Sequence, residues 1–314
     1  MTKFTFTLLI LTAIALSACS EEAQPPQGVI NETASSKKVD RGETQKIGAK
    51  LELAWETSGF NNPESVVYHE PTDTLFVSSI NGSPVEKDGN GYISKVLLDG
   101  TMQSIQWIVG LNAPKGLAIY KDSLYVSDID TLVEIDIPSG TIINRYKVDD
   151  AKFLNDVTAS EKGEIFVSDM VLNRIHRLSN DQFDLWLESP ELENPNGLHA
   201  EEDSIILGAW GVMTDGFATE IPGHLKSISL KDKTITSLGG APIGNLDGVE
   251  SDGKDGYFVT DWMAGKLFQI NTSGEATLLL ELEQGMADHE VLLEHNLILI
   301  PMMKNDKLLA YKIK

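Results

Sequence analysis

Six polar residues recur along the chain, each at or next to the start of a short strand-like stretch. The residues are Glu64, Lys115, Asn155, Asn196, Asp247 and Asp288. Successive members lie 51, 40, 41, 51 and 41 residues apart. Three are carboxylates, two are amides and one is an amine, so a fold that gathered them would form a centre rich in oxygen donors. Such donors suit hard divalent cations.

Each of these anchor residues opens one copy of a repeated pattern. The copies span residues 63–79, 114–128, 154–169, 195–210, 246–262 and 287–302. Every copy contains the polar anchor, a short strand, a turn rich in Asp, Glu, Lys or Gly, and a second strand of aromatic and β-branched residues. Further strand-like stretches, such as TLVEIDI and IINRYKV, follow the copies, and no long helical period occurs. Repeats of this kind indicate a repeat architecture.

The repeat length leaves room for four strands per copy. We therefore predict an all-β fold for residues 49–314, a six-bladed β-propeller with four-stranded blades around a central channel. The stretch LELAW at 51–55 precedes the first copy and is predicted to close the ring as the outer strand of the last blade. A solenoid or sandwich is the alternative, but six returning hairpins without a capping helix favour closure.

In a propeller the innermost strands run along the channel, so the anchors should meet around one axis. Glu64, Asn155, Asn196 and Asp247 then offer a set of oxygen donors whose two negative charges match one divalent cation. We expect Ca²⁺ first, with Mg²⁺, Mn²⁺ or Zn²⁺ as alternatives. The competing interpretation is that Asn and Asp at strand entrances cap turns through side chain to backbone hydrogen bonds.

Four short segments carry a resemblance to a known family. The residues at 63–64, 155–156, 195–197 and 246–248 resemble those of the SMP-30/gluconolactonase/LRE-like propellers, and the resemblance covers about residues 50–314. It implies the same four ligands for one divalent cation and the hydrolysis of lactones or related esters. In that chemistry the cation polarises the carbonyl, and Asp247 is the expected catalytic residue, taking a proton from the attacking water.

Other residues are candidates for the substrate pocket. They are Lys115, Trp210, Trp262, Asp288 and His289. Lys115 departs from the family, because its charge would repel a nearby cation unless its stem points away, and it either contacts an anionic substrate or forms a salt-bridged wall. His289 is either a proton shuttle or a hydrogen-bonded structural histidine. The glycine-containing stretch at 211–224 is either a lid over the channel or surface decoration.

Two functions are compatible with these residues. The first is a metal-dependent lactonase or esterase acting on a small lactone or a sugar-derived ligand, and the second is a non-catalytic propeller that binds a ligand or protein. No GxSxG motif supports a serine hydrolase. The stretch at 248–255 has Asp255 where a phosphate-binding loop needs a hydroxyl, which excludes a nucleotide site. The net charge of −22 argues against nucleic acid.

The N-terminus predicts export. Residues 1–18 read as a signal peptide, and the order of small residues before Cys19 resembles a bacterial lipoprotein signal, with Cys19 as the lipidation site. Residues 19–48 are then a polar, disordered tether. Ser20 would direct the lipoprotein to the outer membrane, facing the periplasm of a Gram-negative host. Membrane contact is expected through the lipid anchor alone.

Overall fold

The structure, a computed structural model, describes residues 48–314. The predicted signal peptide, the lipidation site Cys19 and the tether up to residue 47 lie outside the described residues, so these stay predictions. Within the described range, no helix is long and apolar enough to cross a membrane.

Twenty-four strands between residues 48 and 314 form six four-stranded antiparallel sheets. The strands are β1 (Leu51–Ser58), β2 (Pro63–His69), β3 (Thr74–Ser79), β4 (Gly91–Leu97), β5 (Met102–Leu111), β6 (Pro114–Tyr120), β7 (Ser123–Asp128), β8 (Thr131–Asp136), β9 (Thr141–Lys147), β10 (Leu154–Ala159), β11 (Ile165–Asp169), β12 (Arg174–Ser179), β13 (Gln182–Glu188), β14 (Pro195–Ala200), β15 (Ser204–Ala209), β16 (Leu225–Ser229), β17 (Ile235–Ser237), β18 (Leu246–Ser251), β19 (Gly256–Asp261), β20 (Lys266–Asn271), β21 (Ala276–Glu281), β22 (Glu290–Leu292), β23 (Leu297–Met302) and β24 (Lys307–Ile313). Three one-turn 3₁₀ helices complete the regular structure of this range: Glu70–Thr72, Pro190–Leu192 and Leu293–His295.

The sheets are the blades of a propeller. Blades 1 to 5 each use four consecutive strands, from β2–β5 to β18–β21, and blade 6 combines β22, β23 and β24 with β1. Strand β1 pairs antiparallel with β24, with Trp55 opposite Ala310. Both the six-bladed propeller and its closure by the N-terminal strand, as predicted from the repeats, are confirmed.

The side chains of the second strand of each blade point alternately to the two faces of the sheet and pack against both neighbouring blades. In β3, Leu75 and Val77 belong to a buried cluster shared with blade 6, whereas Phe76 belongs to a cluster shared with blade 2. This follows from the period of two, which points successive side chains to opposite faces. Each such buried side chain contributes about 1.5–3 kcal/mol of apolar burial. Both faces of a blade are therefore core, which explains why the second strands are almost continuously apolar.

The first strand of each blade is the innermost, and it carries a bulge at its anchor. In β2, Pro63 pairs with Ser79 and Val66 pairs with Val77, so two residues of the inner strand oppose one residue of β3. The same register shift occurs in β6, β10, β14 and β18. A bulge bends a strand and re-aims its side chains, here at the residue that carries the predicted chemistry.

Neighbouring inner strands approach so closely that one position tolerates only glycine. A Cβ placed on Gly197, directly after the anchor Asn196, would lie 1.7 Å from the carbonyl oxygen of Asp247 on the next inner strand. Any side chain at residue 197 must push blades 4 and 5 apart at the axis. The glycine thus sets the spacing of two anchors.

Gly197→Ala should lower the free energy of unfolding by at least about 3 kcal/mol, because the clash is with backbone and cannot relax through a rotamer. Gly240→Ala is the matched control, since a Cβ there meets nothing within 4 Å, and its effect should stay within about 0.5 kcal/mol. Urea denaturation of both variants measures the difference. Equal stabilities would contradict the close approach of the inner strands.

Candidate functional site

A cavity of about 170 Å³ lies where the inner strands begin. Its floor is formed by Glu64, Lys115, Asn155, Asn196 and Asp247, one anchor from each of blades 1 to 5. The structure thus brings together all four predicted ligands and the predicted pocket lysine. Trp210 and Trp262, two further pocket candidates, also line this cavity.

The two anchor amides are linked to each other. Asn155 Nδ2 donates to Asn196 Oδ1, and Asn196 Nδ2 donates to the carbonyl oxygen of Leu246 at 3.0 Å. These hydrogen bonds orient both amides at the floor of the cavity. A carbonyl oxygen has two lone pairs, so Asn196 Oδ1 can accept this bond and still offer a lone pair to a cation.

Two oxygens of the predicted ligand set have no hydrogen-bond partner. Glu64 Oε2 and Asn155 Oδ1 are both buried, and no described residue donates to either of them. Burying an unpartnered polar atom is costly, so such atoms usually mark a site for an ion or water. These hard oxygen donors at the floor of a cavity fit a divalent cation. Among the described residues no group of three or more His, Cys, Asp or Glu could hold a metal ion. The predicted ligand set is of a different kind, because it consists of two carboxylates and two amides.

The two carboxylates at this floor have raised pKa values. Burial raises the pKa of Glu64 well above its usual value, the charges of Asp247 and Asp288 raise it further, and only Lys115 opposes them. Burial likewise raises the pKa of Asp247 to about 7, against the lowering effect of Asn196. Both shifts have the same physical origin, namely negative charge held away from water with too little positive charge nearby.

Lys115 is buried but is not ion-paired. Its Nζ donates to the carbonyl oxygen of Ala113 at 3.0 Å and lies 4.5 Å from the centre of the Phe153 ring. In the described part of the chain no carboxylate lies within ion-pair distance of it, which differs from the predicted salt-bridged wall. Burial lowers the pKa of Lys115 to about 8, although the charges of Glu64 and Asp128 raise it.

The sixth blade differs from the sequence prediction by one residue. In blade 5, Leu246 pairs with Asp261, which places the anchor Asp247 next. In blade 6, Met286 pairs with Met302, so the equivalent of the anchor is Ala287 and not Asp288. Because successive side chains of an extended strand alternate, this shift turns Asp288 away from the floor of the cavity.

Asp288 and His289 line a second cavity instead. It has a volume of about 190 Å³ and lies further along the inner strands, where Asp156, His199 and Glu250 also line it. Asp288 Oδ2 accepts from Ser65 Oγ at 2.5 Å, and both ring nitrogens of the buried His289 have no partner among the described residues. Burial lowers the pKa of His289 to about 4. Asp288 and His289 therefore do not line the cavity at the anchors, where the sequence analysis had predicted them.

A hydroxyl on the second strand holds the backbone of two anchors, Asn155 and Asn196, and of Ala287 at the equivalent position of blade 6, and the sequence analysis missed it. Ser168 Oγ accepts from the backbone N–H of Asp156 at 2.9 Å, inside the bulge of β10, and donates to the carbonyl oxygen of Asn196 at 2.9 Å in the next blade. Ser127 donates in the same way to Asn155 O. Thr260 links Gly248 N to Ala287 O. The signal was present in the sequence as the hydroxyl before Asp in YVSD, FVSD and FVTD.

The aspartates that end β7 and β11 are structural. Asp128 accepts from the backbone N–H groups of Asn112 and Ala113 at 3.0 and 2.8 Å. Asp169 accepts from those of Lys152 and Phe153 at 2.9 and 3.1 Å. Each carboxylate thereby fixes the loop that leads into the inner strand, at the residues two and three positions before the anchor.

The fold and cavity define a six-bladed propeller with a polar centre at one end of its channel. Comparison with solved structures finds the same fold in a gluconolactonase from Xanthomonas campestris, with a TM-score of 0.62, 14% identity, and coverage of 85% of this chain and 90% of that one. A virginiamycin B lyase from Staphylococcus aureus matches with a TM-score of 0.59 and 14% identity, over 84% of this chain and 100% of that one. A streptogramin B lyase has a TM-score of 0.56 and 12% identity, with coverage of 85% and 98%. No family model and no curated protein sequence matches the chain. At these identities the likeness establishes the fold.

Ser168→Ala should lower the free energy of unfolding by about 1–3 kcal/mol, because it leaves Asp156 N–H and Asn196 O without a partner inside the ring. Ser168→Thr should retain most of the stability, since Thr260 makes the same two contacts in blade 5. Thermal unfolding of the two variants beside the parent protein measures this. A Ser168→Ala protein as stable as the parent would show that the hydroxyl is dispensable.

Proposed function

We propose that the chain is a hydrolase of lactones or related carboxylic esters that depends on one divalent cation, with Ca²⁺ as the first candidate. The ligands would be Glu64, Asn155, Asn196 and Asp247. The observation that carries the proposal is the pair of buried, unpartnered oxygens on Glu64 and Asn155 at the floor of the cavity. The shared fold with a gluconolactonase and the resemblance of the anchor segments support the reaction class.

When bound, the cation supplies polarisation of the substrate carbonyl and stabilises the negative charge that develops on its oxygen. The chain supplies the proton transfers. Asp247 accepts a proton from water as the water oxygen bonds to the acyl carbon, and it returns that proton to the leaving alkoxide as the acyl carbon–oxygen bond breaks. Burial raises the pKa of Asp247 to about 7 when no cation is bound, and a bound cation would lower it and keep the carboxylate ready to accept a proton.

One observation favours the alternative, a non-catalytic binding propeller. The ammonium group of Lys115 lines the same cavity as Glu64 and Asp247, and its charge already opposes the raised pKa of Glu64. In that case Lys115 and bound protons offset the negative charges of Glu64 and Asp247, and the cavity binds a ligand without turnover. The two functions differ in whether a cation binds and in whether its binding accompanies turnover.

Cation binding should depend on pH in a defined direction. Because Asp247 must lose its proton to become a ligand, Ca²⁺ affinity should fall at least about tenfold per pH unit below about 7, and the raised pKa of Glu64 adds to the decrease. Without cation, the raised pKa of Asp247 contributes stability at low pH that is lost as pH rises through about 7. Ca²⁺ should therefore raise the melting temperature more at about pH 8 than at about pH 5. Calorimetric titration and thermal unfolding test both.

The binding measurement has its own control. Asp247→Asn should weaken Ca²⁺ binding and reduce its pH dependence, because one of the two titrating ligand carboxylates is gone and only Glu64 remains. Lys115→Met should leave Ca²⁺ binding intact or strengthen it, since it removes a positive charge from the same cavity. Absence of Ca²⁺, Mg²⁺, Mn²⁺ and Zn²⁺ binding to the parent protein would rule out the metal-dependent function, and loss of stability in Lys115→Met would then identify the lysine as the counter-charge.

Asp247→Asn should also reduce kcat for lactone hydrolysis by about 10²–10⁴-fold, because the proton acceptor is lost while the side chain keeps its shape. Its melting temperature in the absence of cation should not decrease, since the substitution removes a buried charge. Asp232→Asn, which changes an exposed turn carboxylate, serves as the activity control. Unchanged turnover in Asp247→Asn would remove Asp247 from the mechanism.

A further inference from the structure

The cavity divides sharply into a polar floor and an apolar wall. The five anchors form the floor, and the other nine lining residues are apolar or aromatic. The wall includes Phe153, Met170, Trp210, Phe217, Trp262 and Met303. These side chains come from the loops that precede the inner strands or follow the second strands, so the wall and the floor are separate parts of the structure.

Three donor groups of this cavity already have hydrogen-bond partners, and its two unpartnered oxygens, Glu64 Oε2 and Asn155 Oδ1, are the proposed cation ligands. Trp210 Nε1 donates to the carbonyl oxygen of Phe217 at 2.8 Å, and Asn196 Nδ2 donates to the carbonyl oxygen of Leu246. Lys115 Nζ is held by Ala113 O. A substrate with several hydroxyl groups would have to bury them against this wall without partners, which disfavours binding.

The aromatic part of the wall is continuous. The Phe217 ring lies 5.3 Å from that of Phe153 and 6.4 Å from that of Trp210, and Trp210 lies 6.0 Å from Trp262. Phe217 belongs to the 211–224 loop and is 40% exposed, so it joins the cavity to the rim. On the rim, Val212 and Met263 are exposed as well. An apolar substituent can therefore follow the aromatic rings of this arc from the floor to the exposed Phe217 side chain.

We infer that the substrates are lactones or esters carrying an alkyl, acyl or aromatic substituent, and that Phe217 of the 211–224 loop selects for it. This rests on the proposed hydrolase function and narrows it. The reacting carbonyl lies on the polar floor, and the substituent lies on the aromatic arc. Sugar lactones, whose hydroxyl groups the wall cannot satisfy, are excluded from efficient turnover.

The test measures kcat/KM of the full protein, in excess Ca²⁺, for γ-butyrolactone, for γ-alkyl butyrolactones of increasing chain length, and for glucono-1,5-lactone. We expect kcat/KM to rise about 3-fold per methylene until the arc is filled, and gluconolactone to be at least about 100-fold poorer than the longest alkyl lactone. Phe217→Ala should flatten the chain-length dependence, so that kcat/KM no longer rises with each methylene. Val171→Ala, an exposed apolar residue that does not line the cavity, should leave it unchanged.

The outcomes separate this inference from the proposed function. Gluconolactone turnover equal to or faster than that of the alkyl lactones would overturn the inference while the hydrolase stands. If no lactone is hydrolysed, quenching of tryptophan fluorescence decides: saturable quenching by the long alkyl lactone but not by gluconolactone would retain the apolar ligand class and reject the hydrolase. Absence of turnover together with absence of selective quenching would overturn both.

Discussion

The inner strands of this propeller must crowd around one axis without burying unpaired backbone groups. Apart from an isolated bridge between Ser65 and Asp288, each strand pairs with a neighbouring strand on one side only, and a bulge at the anchor breaks part of that pairing. Buried N–H and C=O groups are nearly always satisfied in folded proteins, so something must replace the lost bonds. Second-strand hydroxyls do so at Ser168 and Thr260, and they tie each bulge to the carbonyl of the next blade. The anchor positions follow from this arrangement.

The repeats were sufficient to predict the architecture and five of the six anchors. An apolar residue or proline before each anchor pairs with the end of the second strand, so the pattern in the sequence and the register in the sheet coincide. Blade 6 misled the alignment because Ala-Asp-His at 287–289 looks like Leu-Asp-Gly at 246–248. The pairing of Met286 with Met302 shows that Ala287 holds the anchor position. A register shift of one residue cannot be recognised from the sequence, yet it moves a side chain to a different cavity.

Burial and charge balance were also beyond the reach of the sequence. Six polar anchors suggest a solvated rim, but Glu64 and Asp247 are 6% exposed and Lys115 is 1% exposed. Their pKa values are raised or lowered because the charged form of each group is disfavoured away from water. Protons, the lysine or a bound cation can each offset the excess negative charge. A cation would also bind the unpartnered oxygens of Glu64 and Asn155, and these two atoms therefore support the proposed cation more than the number of carboxylates does.

The division between floor and wall explains how one fold can serve different substrates. The floor belongs to the bulged inner strands, whose geometry is fixed by contacts through the whole ring, whereas the wall belongs to loops such as 211–224 that carry little of the core. Changing Phe217 or Trp262 need not disturb the anchors. A gluconolactonase and a virginiamycin B lyase, each 14% identical to this chain, share its propeller, so the fold alone does not identify a substrate. For this chain the aromatic loop residues, and not the shared fold, are the evidence on which specificity should be judged.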